Sequence, residues 1–376
     1  GRLEQAQGYL DTWVRNSPNS LEARLALVNF LLQSRKPFKA LEALRKPPQL
    51  NLDNVFALKF LGDIYLAINA PSSAVSSYGK IIGAQPDSPI GYYLLAKAHE
   101  RFGNSNKAKK NLIKALQADS SHTPSSLTLA HFYIAEGETK KAEQIISSIK
   151  TDKNNADYLV LEGRYKLAVG ENDLALKSYK KALDISNSPK AAVQLAKAHY
   201  TINEIDQGIG VLQQWLQDNP DNINVRYILA DSLMQSGQIN QAKQQYKAII
   251  DVEPAHVLAL NNLAYLEIES NLQQALEYAK KAYLFAPEQP EIIDTYGVVL
   301  LKTGQNQPAL EKLQKAYSKK TNSLDIALHY AQALIANGKP EKAIGVLEQV
   351  LKVSDSDNNA IAIDQINQLI KKIKKQ

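Results

Sequence analysis

The sequence contains no cysteine and no long apolar run. The absence of cysteine from 376 residues excludes disulfides, thiolate nucleophiles and cysteine-ligated metals. No apolar run approaches the ~18 residues that a membrane-spanning helix needs, so no span is expected in this chain. Long blocks of one charge are also missing, because 44 basic and 38 acidic residues leave a net charge of +6 that is spread along the chain. Without a basic block, nucleic acid is not expected as a partner.

Motifs for catalysis, nucleotide binding and metal binding are absent as well. The six histidines include no pair at the i, i+4 spacing of a helical metal site. The glycines of GIG at 208–210 lack the residues that follow in a phosphate-binding loop. DSDNN at 355–359 has the acidic start of a calcium loop, but Ala360 stands where the turn glycine belongs and Ile366 where the bidentate glutamate belongs. We therefore expect no catalytic, cofactor-binding or metal-binding residues.

One string recurs along the chain. AKQQYKAIIDVEP, at 242–254, places Ala242, Tyr246 and Pro254 at fixed offsets, and AVSSYGKIIGAQP repeats the pattern at 74–86. An apolar residue followed by a small one precedes each string, and counted from that small residue successive copies lie 33 or 34 residues apart. A fixed period of this length is typical of a stacked array of helical repeats. The pattern therefore favours a packing role for Tyr246 over a role in a site.

Ten full repeats are predicted, each with a first helix, a turn and a second helix. They begin near Leu21, Val55, Pro89, Thr123, Ala156, Pro189, Ile223, Val257, Pro290 and Leu324. Glycine follows most first helices, where it supplies the left-handed backbone that ends a helix. These glycines are Gly103, Gly137, Gly170, Gly237, Gly304 and Gly338. Alanine or glycine at the eighth and twentieth places of the repeat lets the two helices approach closely.

Two copies depart from the pattern. The first copy runs into Pro47 and Pro48, which must shorten its second helix. In the eighth copy the turn ESNLQQA has no glycine and is one residue short. We therefore expect a shortened second helix in the first copy and a local change of superhelical pitch at the eighth.

The repeated pattern resembles the tetratricopeptide repeat (TPR) family over essentially the whole chain. This resemblance implies an all-α fold, a right-handed superhelix of stacked helix pairs, that is, an αα solenoid. We expect a single domain over 1–376, with the second helix of a truncated repeat at 1–20, ten repeats at 21–357 and a capping helix at 358–376. The tryptophan that is common near the start of that family's first helix is absent.

A narrower resemblance covers residues 261–317, which are similar to the last repeats of the large TPR lipoproteins encoded with exosortase and PEP-CTERM sorting systems in exopolysaccharide-producing Gram-negative bacteria. The chain starts with Gly1 and Arg2 and already shows the pattern of a second helix there. We therefore expect a fragment of a longer array, with any signal peptide or lipid anchor upstream. The resemblance implies a periplasmic or outer-membrane-associated protein; a cytoplasmic location is the alternative.

The candidate ligand groove follows from the resemblance, since first helices line the concave side of such an array. The ninth place of each first helix, with neighbours at the fifth and second places, is expected to face the ligand. These residues are Lys59, Asp63, Tyr93, Lys97, His131, Arg164, Lys190, Lys197, Tyr227, Asp231, Asn261 and Tyr265. An exposed helix face is polar in any case. However, Lys97, His131, Arg164 and Lys197 place a basic or titratable group in one row across four consecutive repeats, which suits a carboxylate-bearing peptide or an anionic glycan.

These observations predict a noncatalytic scaffold that binds a peptide or protein partner in its groove, in a bacterial envelope pathway for exopolysaccharide or protein sorting. No cofactor is expected. Two alternatives stay open. One is the substrate-recruiting segment of a larger enzyme such as a glycosyltransferase, and the other is an export or assembly subunit that binds polysaccharide directly.

Overall fold

The computed structural model describes residues 2–48, 53–149, 153–353 and 360–374, and within these ranges all regular secondary structure is helical. This confirms the all-α prediction. The chain divides into two compact units, Gly1–Ala198 and His199–Gln376. The prediction of one domain over the whole chain stays a prediction.

The N-terminal unit is built from α1 to α11 and most of α12. Their bounds are α1 Arg2–Asn16, α2 Leu21–Gln33, α3 Pro37–Arg45, α4 Val55–Ala67, α5 Pro71–Ala84, α6 Pro89–Arg101, α7 Ser105–Ala118, α8 Thr123–Ala135, α9 Thr139–Ser148, α10 Ala156–Ala168, α11 Asn172–Ser186 and α12 Pro189–Thr201.

The C-terminal unit continues with ten helices. Their bounds are α13 Ile205–Asp218, α14 Ile223–Gln235, α15 Ile239–Val252, α16 Val257–Glu267, α17 Leu272–Phe285, α18 Pro290–Lys302, α19 Asn306–Lys319, α20 Leu324–Ala336, α21 Pro340–Val353 and α22 Ala360–Ile373. The even-numbered helices from α2 to α20 are the first helices of the repeats, and they begin at the ten predicted residues. The repeat frame is therefore confirmed.

The two helices of a repeat meet where the first helix carries a small residue and the second a large one. Gly62 of α4 faces Tyr78 of α5 so closely that a Cβ on Gly62 would lie 2.2 Å from the Tyr78 ring. A Cβ on Gly163 would lie 2.9 Å from Tyr179 in the same way. Tyr246 is also fully buried, which confirms that it is a packing residue. The predicted close approach of the paired helices is therefore observed.

The turns after the first helices also follow the prediction. The six glycines have φ between 70° and 82°, the left-handed conformation. In three copies without this glycine, Arg35, Asn69 and Asn203 adopt the same conformation, with φ of 57°, 58° and 64°. Asparagine tolerates this region better than most residues do. The turn geometry is thus kept even where the glycine is missing.

The first copy has the short second helix that was predicted, and the eighth copy has a short first helix that was not. Helix α3 has 9 residues against 14 in α5, and α16 has 11 residues against 13 in α14. The turn after α16 is held by Glu267, whose buried carboxylate accepts hydrogen bonds from Ser270 at 2.6 Å and Lys243 at 2.9 Å. A buried ion pair therefore holds this turn, which has no glycine.

Helix α22 confirms the predicted capping helix. Ile366, Ile370 and Ile373 are buried against the last repeat, where they pack with Leu347 and Val350. This apolar face covers surface that would otherwise be exposed at the end of the stack. The calcium-loop-like string at 355–359 lies outside the described residues.

We expect Gly62→Ala to destabilise the chain by ~1 to 3 kcal/mol, because the new methyl group would clash with the Tyr78 ring. The matched control is Gly79→Ala in the next helix, where an added Cβ has nothing within 4 Å. That change should stabilise the chain by up to ~1 kcal/mol through helix propensity. Urea unfolding followed by circular dichroism measures both. Equal effects of the two substitutions would show that the close approach is not required.

The contact between His329 of α20 and Asp294 of α18 should make the free energy of unfolding depend on pH. The His329 Nδ1 and Asp294 Oδ2 atoms are 2.8 Å apart. Burial lowers the pKa of His329, but the hydrogen bond and charge of Asp294, helped by Asp325, outweigh burial and raise the pKa above its ordinary value. The pair therefore stabilises the fold fully below about pH 6.5, and this contribution is lost as the pH rises through the raised pKa.

Accordingly, His329→Gln should cost on the order of 1 kcal/mol near pH 6 and progressively less at alkaline pH. The measurement is urea unfolding of wild type and variant across this pH range. A stability difference that does not change with pH would contradict the prediction.

Candidate ligand-binding surface

The predicted groove residues fall into one set in each unit. The N-terminal set comprises Lys59, Asp63, Tyr93, Lys97, His131, Arg164, Lys190 and Lys197, and the C-terminal set comprises Tyr227, Asp231, Asn261 and Tyr265. All twelve lie on first helices. The two sets are described separately below.

Lys59 and Asp63 of α4 form an ion pair, and Asp63 also contacts the core of the repeat. Lys59 Nζ lies 2.7 Å from Asp63 Oδ2. The other carboxylate oxygen of Asp63 accepts a hydrogen bond of 2.7 Å from the hydroxyl of buried Tyr78. Burial, with the charge of Asp63, raises the pKa of Tyr78, so this hydroxyl stays a donor. Asp63 thus has a packing role that its place in the repeat did not predict.

His131 and Arg164 come together at the centre of the N-terminal set. Arg164 donates from Nη1 to His131 Nδ1 at 2.8 Å, between residues 33 positions apart in the sequence. Burial lowers the pKa of His131 to about 4, and the positive charges of Arg164 and Lys190 contribute in the same direction. His131 is therefore neutral at neutral pH. It orients the Arg164 guanidinium and adds no charge of its own.

The positive charge of the predicted row is consequently carried by Lys97, Arg164 and Lys197. All three side chains are exposed and occupy the ninth place of α6, α10 and α12. Lys190, another cation of the set, lies 2.7 Å from Asp157, and both side chains are 62% exposed. Such an exposed pair contributes little stability and can exchange partners. Asp157 is a neighbour that the sequence prediction missed.

Tyr93 is half-buried and its ring packs edge-on against His122, with centroids 5.4 Å apart. Burial lowers the pKa of His122, an effect that Asp119 opposes. Tyr93 is therefore only partly accessible to a ligand, because its ring also packs against the residue that precedes α8.

An apolar cavity of ≈ 520 Å³ between α2 and α4 was not predicted. Leu21, Leu25, Phe56 and Phe60 supply most of its wall, and Asn29, at the ninth place of α2, also lines it. Phe56 is 68% exposed. The signal in the sequence was a phenylalanine at the second place of a first helix, where a polar residue is expected on an exposed face.

In the C-terminal set, Tyr227 is part of an aromatic and amide cluster. Its ring lies 5.8 Å from Tyr246 and 5.6 Å from His256, between centroids. Asn262, which the sequence prediction missed, donates to the Tyr246 hydroxyl at 2.8 Å and to the Tyr227 hydroxyl at 3.4 Å. The Tyr227 ring is thus held by contacts with its own repeat and with the next one.

The other members of the C-terminal set differ in their capacity to bind a ligand. The side-chain oxygen of Asn261 is buried and accepts no hydrogen bond from the described residues. Tyr265 is 63% exposed. Asp231 accepts a hydrogen bond of 2.8 Å from Gln235 on the same helix. Tyr265 therefore offers the most accessible aromatic surface of this set.

Within the described ranges, no three histidine, cysteine, aspartate or glutamate side chains group as a metal site requires. None of the described helices combines the length and apolar character needed to cross a bilayer.

Models of known protein families match three segments of the chain. Two models described as tetratricopeptide repeat match residues 226–356 and 101–164. The chain carries tetratricopeptide repeats. A third model, described as subunit 3 of the anaphase-promoting complex, cyclosome, matches residues 171–249 of this tetratricopeptide-repeat chain.

Curated relatives of these repeats are distant. The human protein O-mannosyl-transferase TMTC3 is 24% identical over 288 residues, which cover 74% of this chain and 31% of that protein. The cellulose synthase operon protein C of Pseudomonas fluorescens is 25% identical over 197 residues, which cover 49% of this chain and 15% of that protein. The chain thus spans less than a third of the length of both relatives.

Solved structures resemble the tetratricopeptide repeats at low identity. The APC/C hetero-tetramer Cut9-Hcn1 aligns with 99% of this chain and 87% of its own chain, at 15% identity and a TM-score of 0.47. PilF of Pseudomonas aeruginosa aligns with 57% of this chain and 96% of its own, at 18% identity and a TM-score of 0.45.

We expect acid to destabilise the contact between His131 and Arg164. The pKa of His131 is lowered to about 4 in the folded chain, below the ~6.5 of an unfolded histidine. The folded state therefore binds fewer protons between these values, and its stability falls as the pH drops from about 6.5 to about 4.

His131→Gln keeps an acceptor for Arg164 and removes the titrating ring, so it should reduce this acid loss by about 1 to 3 kcal/mol. Arg164→Gln should reduce it by less, because burial is the larger cause of the shift. Urea unfolding at neutral and acidic pH gives both differences. An unchanged acid loss in His131→Gln would refute the assignment.

Proposed function

We propose that this chain is a noncatalytic scaffold that binds an acidic segment of a protein partner along the exposed face of α6 to α12. The observation that carries the proposal is the contact between His131 and Arg164, because a neutral imidazole holds an exposed guanidinium in one orientation. Fixing a charged side chain before binding lowers the entropy cost of using it. The tetratricopeptide fold, which serves protein interaction, supports this function.

Arg164 is well suited to a carboxylate ligand. One of its five N–H groups is used by His131, and the guanidinium edge can receive a carboxylate through two parallel hydrogen bonds. Lys197 occupies the same place of the next first helix, α12, and Lys97 occupies it in α6, two first helices before α10. Their flexible ammonium groups would add attraction without strict geometry.

The apolar cavity between α2 and α4 would take an aliphatic or aromatic side chain of the same partner. Helix α10 is the third first helix after α4. With ~10 Å between the axes of successive first helices, the two lie roughly 30 Å apart. An extended segment covers that length with about nine residues. The proposed ligand thus carries an apolar residue about nine positions from its acidic residues.

The pathway we propose is exopolysaccharide production or protein sorting in a bacterial envelope, with the protein in the periplasm or at the outer membrane as part of a longer lipoprotein. Two observations support it. One is the resemblance that the sequence pattern of residues 261–317 suggests to TPR lipoproteins of exosortase systems, and the other is the similarity of part of the chain to the cellulose synthase operon protein C. Detection of the native protein in fractionated envelopes would test the location.

A second candidate function is substrate recruitment within a larger glycosyltransferase. The similarity to protein O-mannosyl-transferase TMTC3 over 288 residues favours it. An anionic glycan is a third possible ligand, since the cations that attract carboxylates of a peptide would also attract those of uronic acids. Transferase activity of the full-length natural protein would support the second candidate, and preference for a polyuronate over every peptide would support the third.

The test is a binding titration with a library of labelled nonapeptides and with a polyuronate oligosaccharide. Replacing Arg164 and Lys197 together with alanine should weaken binding of acidic peptides by about tenfold to a hundredfold, and added salt should weaken binding to the wild type. The matched control is replacement of Lys177 and Lys180 on α11, which removes the same charge from an exposed second helix.

Equal affinities for wild type and the Arg164 and Lys197 double variant, at low and high salt, would refute the proposed surface. In that case the C-terminal set around Tyr227, Asn261 and Tyr265 would be the next candidate.

A further inference from the structure

A second cavity, of ≈ 500 Å³, lies between α1, α2 and α3 and is separate from the groove residues. It borders the end of α3, where Ala43, Lys46 and Pro47 form part of its wall. Helix α3 is five residues shorter than α5, which is more than one helical turn. The early end of this second helix therefore opens space beside α2.

Arg24 of α2 lines this cavity and is only 2% exposed. Its Nη1 donates to the main-chain oxygens of Lys46 at 2.5 Å and Pro48 at 2.9 Å, and its Nη2 donates to that of Pro18 at 2.9 Å. These bonds use three of the five N–H groups. The Nε atom is buried and has no hydrogen-bond partner among the described residues.

The buried charge of Arg24 is not balanced by a carboxylate. Asp11 and Glu42 line the same cavity, but no ion pair joins either of them to Arg24 in the described part of the chain. Main-chain dipoles compensate a buried cation only in part, and burial accordingly lowers the pKa of Arg24. An unpaired buried cation of this kind favours an anion in the adjoining space.

The seventh repeat shows how an arginine at this place can be hydrogen-bonded within its own repeat. Arg226 occupies the fourth place of α14, as Arg24 does in α2, and its Nη2 likewise donates to the main-chain oxygen of a proline six residues earlier, Pro220, at 2.6 Å. Its Nη1 donates at 2.7 Å to Gln245 of the paired second helix. The residue of the first repeat that corresponds to Gln245 is Ala43, and the two N–H groups of Arg24 Nη1 donate instead to the main-chain oxygens of Lys46 and Pro48.

We propose that the cavity between α1, α2 and α3 binds a carboxylate that carries a short apolar chain, and that the carboxylate meets Arg24. The apolar part would contact Val14, Leu27 and Leu31, which line the cavity with Arg24. The wall carries Arg15, Lys39 and Lys46 as well as Asp11 and Glu42, so its net charge with Arg24 is positive and favours an anion. The volume is in the range of small-molecule sites.

The Arg24 Nε–H signal in nitrogen-15 NMR spectra reports on this site directly. The probes are hexanoate and N-acetyl-leucine, with the neutral amides hexanamide and N-acetyl-leucinamide as controls at constant ionic strength. Hexanoate represents a free aliphatic acid, and N-acetyl-leucine represents the C-terminus of a peptide. The signal that disappears in the Arg24→Lys variant is assigned to Arg24.

Ala43→Gln is the decisive variant, because it copies Gln245 and fills the cavity without changing Arg24. We expect a saturable shift of the Arg24 signal with at least one carboxylate and with neither amide. Affinity should fall about tenfold or more in Ala43→Gln, while urea unfolding shows equal or greater stability. Tighter binding of N-acetyl-leucine than of hexanoate would assign the site to a chain terminus, and the reverse to a free acid.

Three results would overturn the proposal. They are the absence of a saturable shift with both carboxylates, an equal shift with the amides or with sodium chloride, and equal affinity in Ala43→Gln. Binding at the first-helix groove does not enter this experiment, so its outcome is independent of the proposed function.

Discussion

The structure depends on the close approach of two helices within each repeat. This approach requires a small residue on the first helix wherever a large one projects from the second, as Gly62 and Tyr78 show. It also places a hydroxyl where the core meets the groove face. Tyr78 donates to Asp63, and Tyr246 accepts from Asn262. Packing inside a repeat therefore decides which polar residues on the outer face are free to meet a ligand and which are already engaged.

Contacts between successive first helices then set the charge of that face. His131 and His329 both contact a neighbour more than thirty residues away, but the neighbour is an arginine in one case and an aspartate in the other. The pKa of His131 falls and that of His329 rises. Histidines in equivalent helices thus respond to pH in opposite directions, and neither response follows from the histidine alone.

The periodicity of the sequence predicted much of the fold and less of the site. The starts of the ten first helices, the six left-handed glycines and the short helix α3 could be predicted because each depends on local spacing or turn chemistry. The pairing of Lys190 with Asp157 could not be predicted. The position of a residue in the repeat fixes the place of its backbone but does not determine which neighbour its side chain contacts. The apolar cavity at Phe56 was missed for a related reason, since the prediction treated the groove face as polar.

Departures from the period are where a repeat array acquires individual sites. Arg24 and Arg226 occupy the same place, and both donate to a proline carbonyl six residues earlier. In the seventh repeat the full-length second helix supplies Gln245, and the arginine is satisfied within the repeat. In the first repeat the second helix ends early, alanine replaces the glutamine, main-chain oxygens accept from the arginine, and a cavity lies beside it. An identical arginine is therefore bonded to a glutamine of its own repeat in one copy and borders a cavity in the other, because the helix beside it changed.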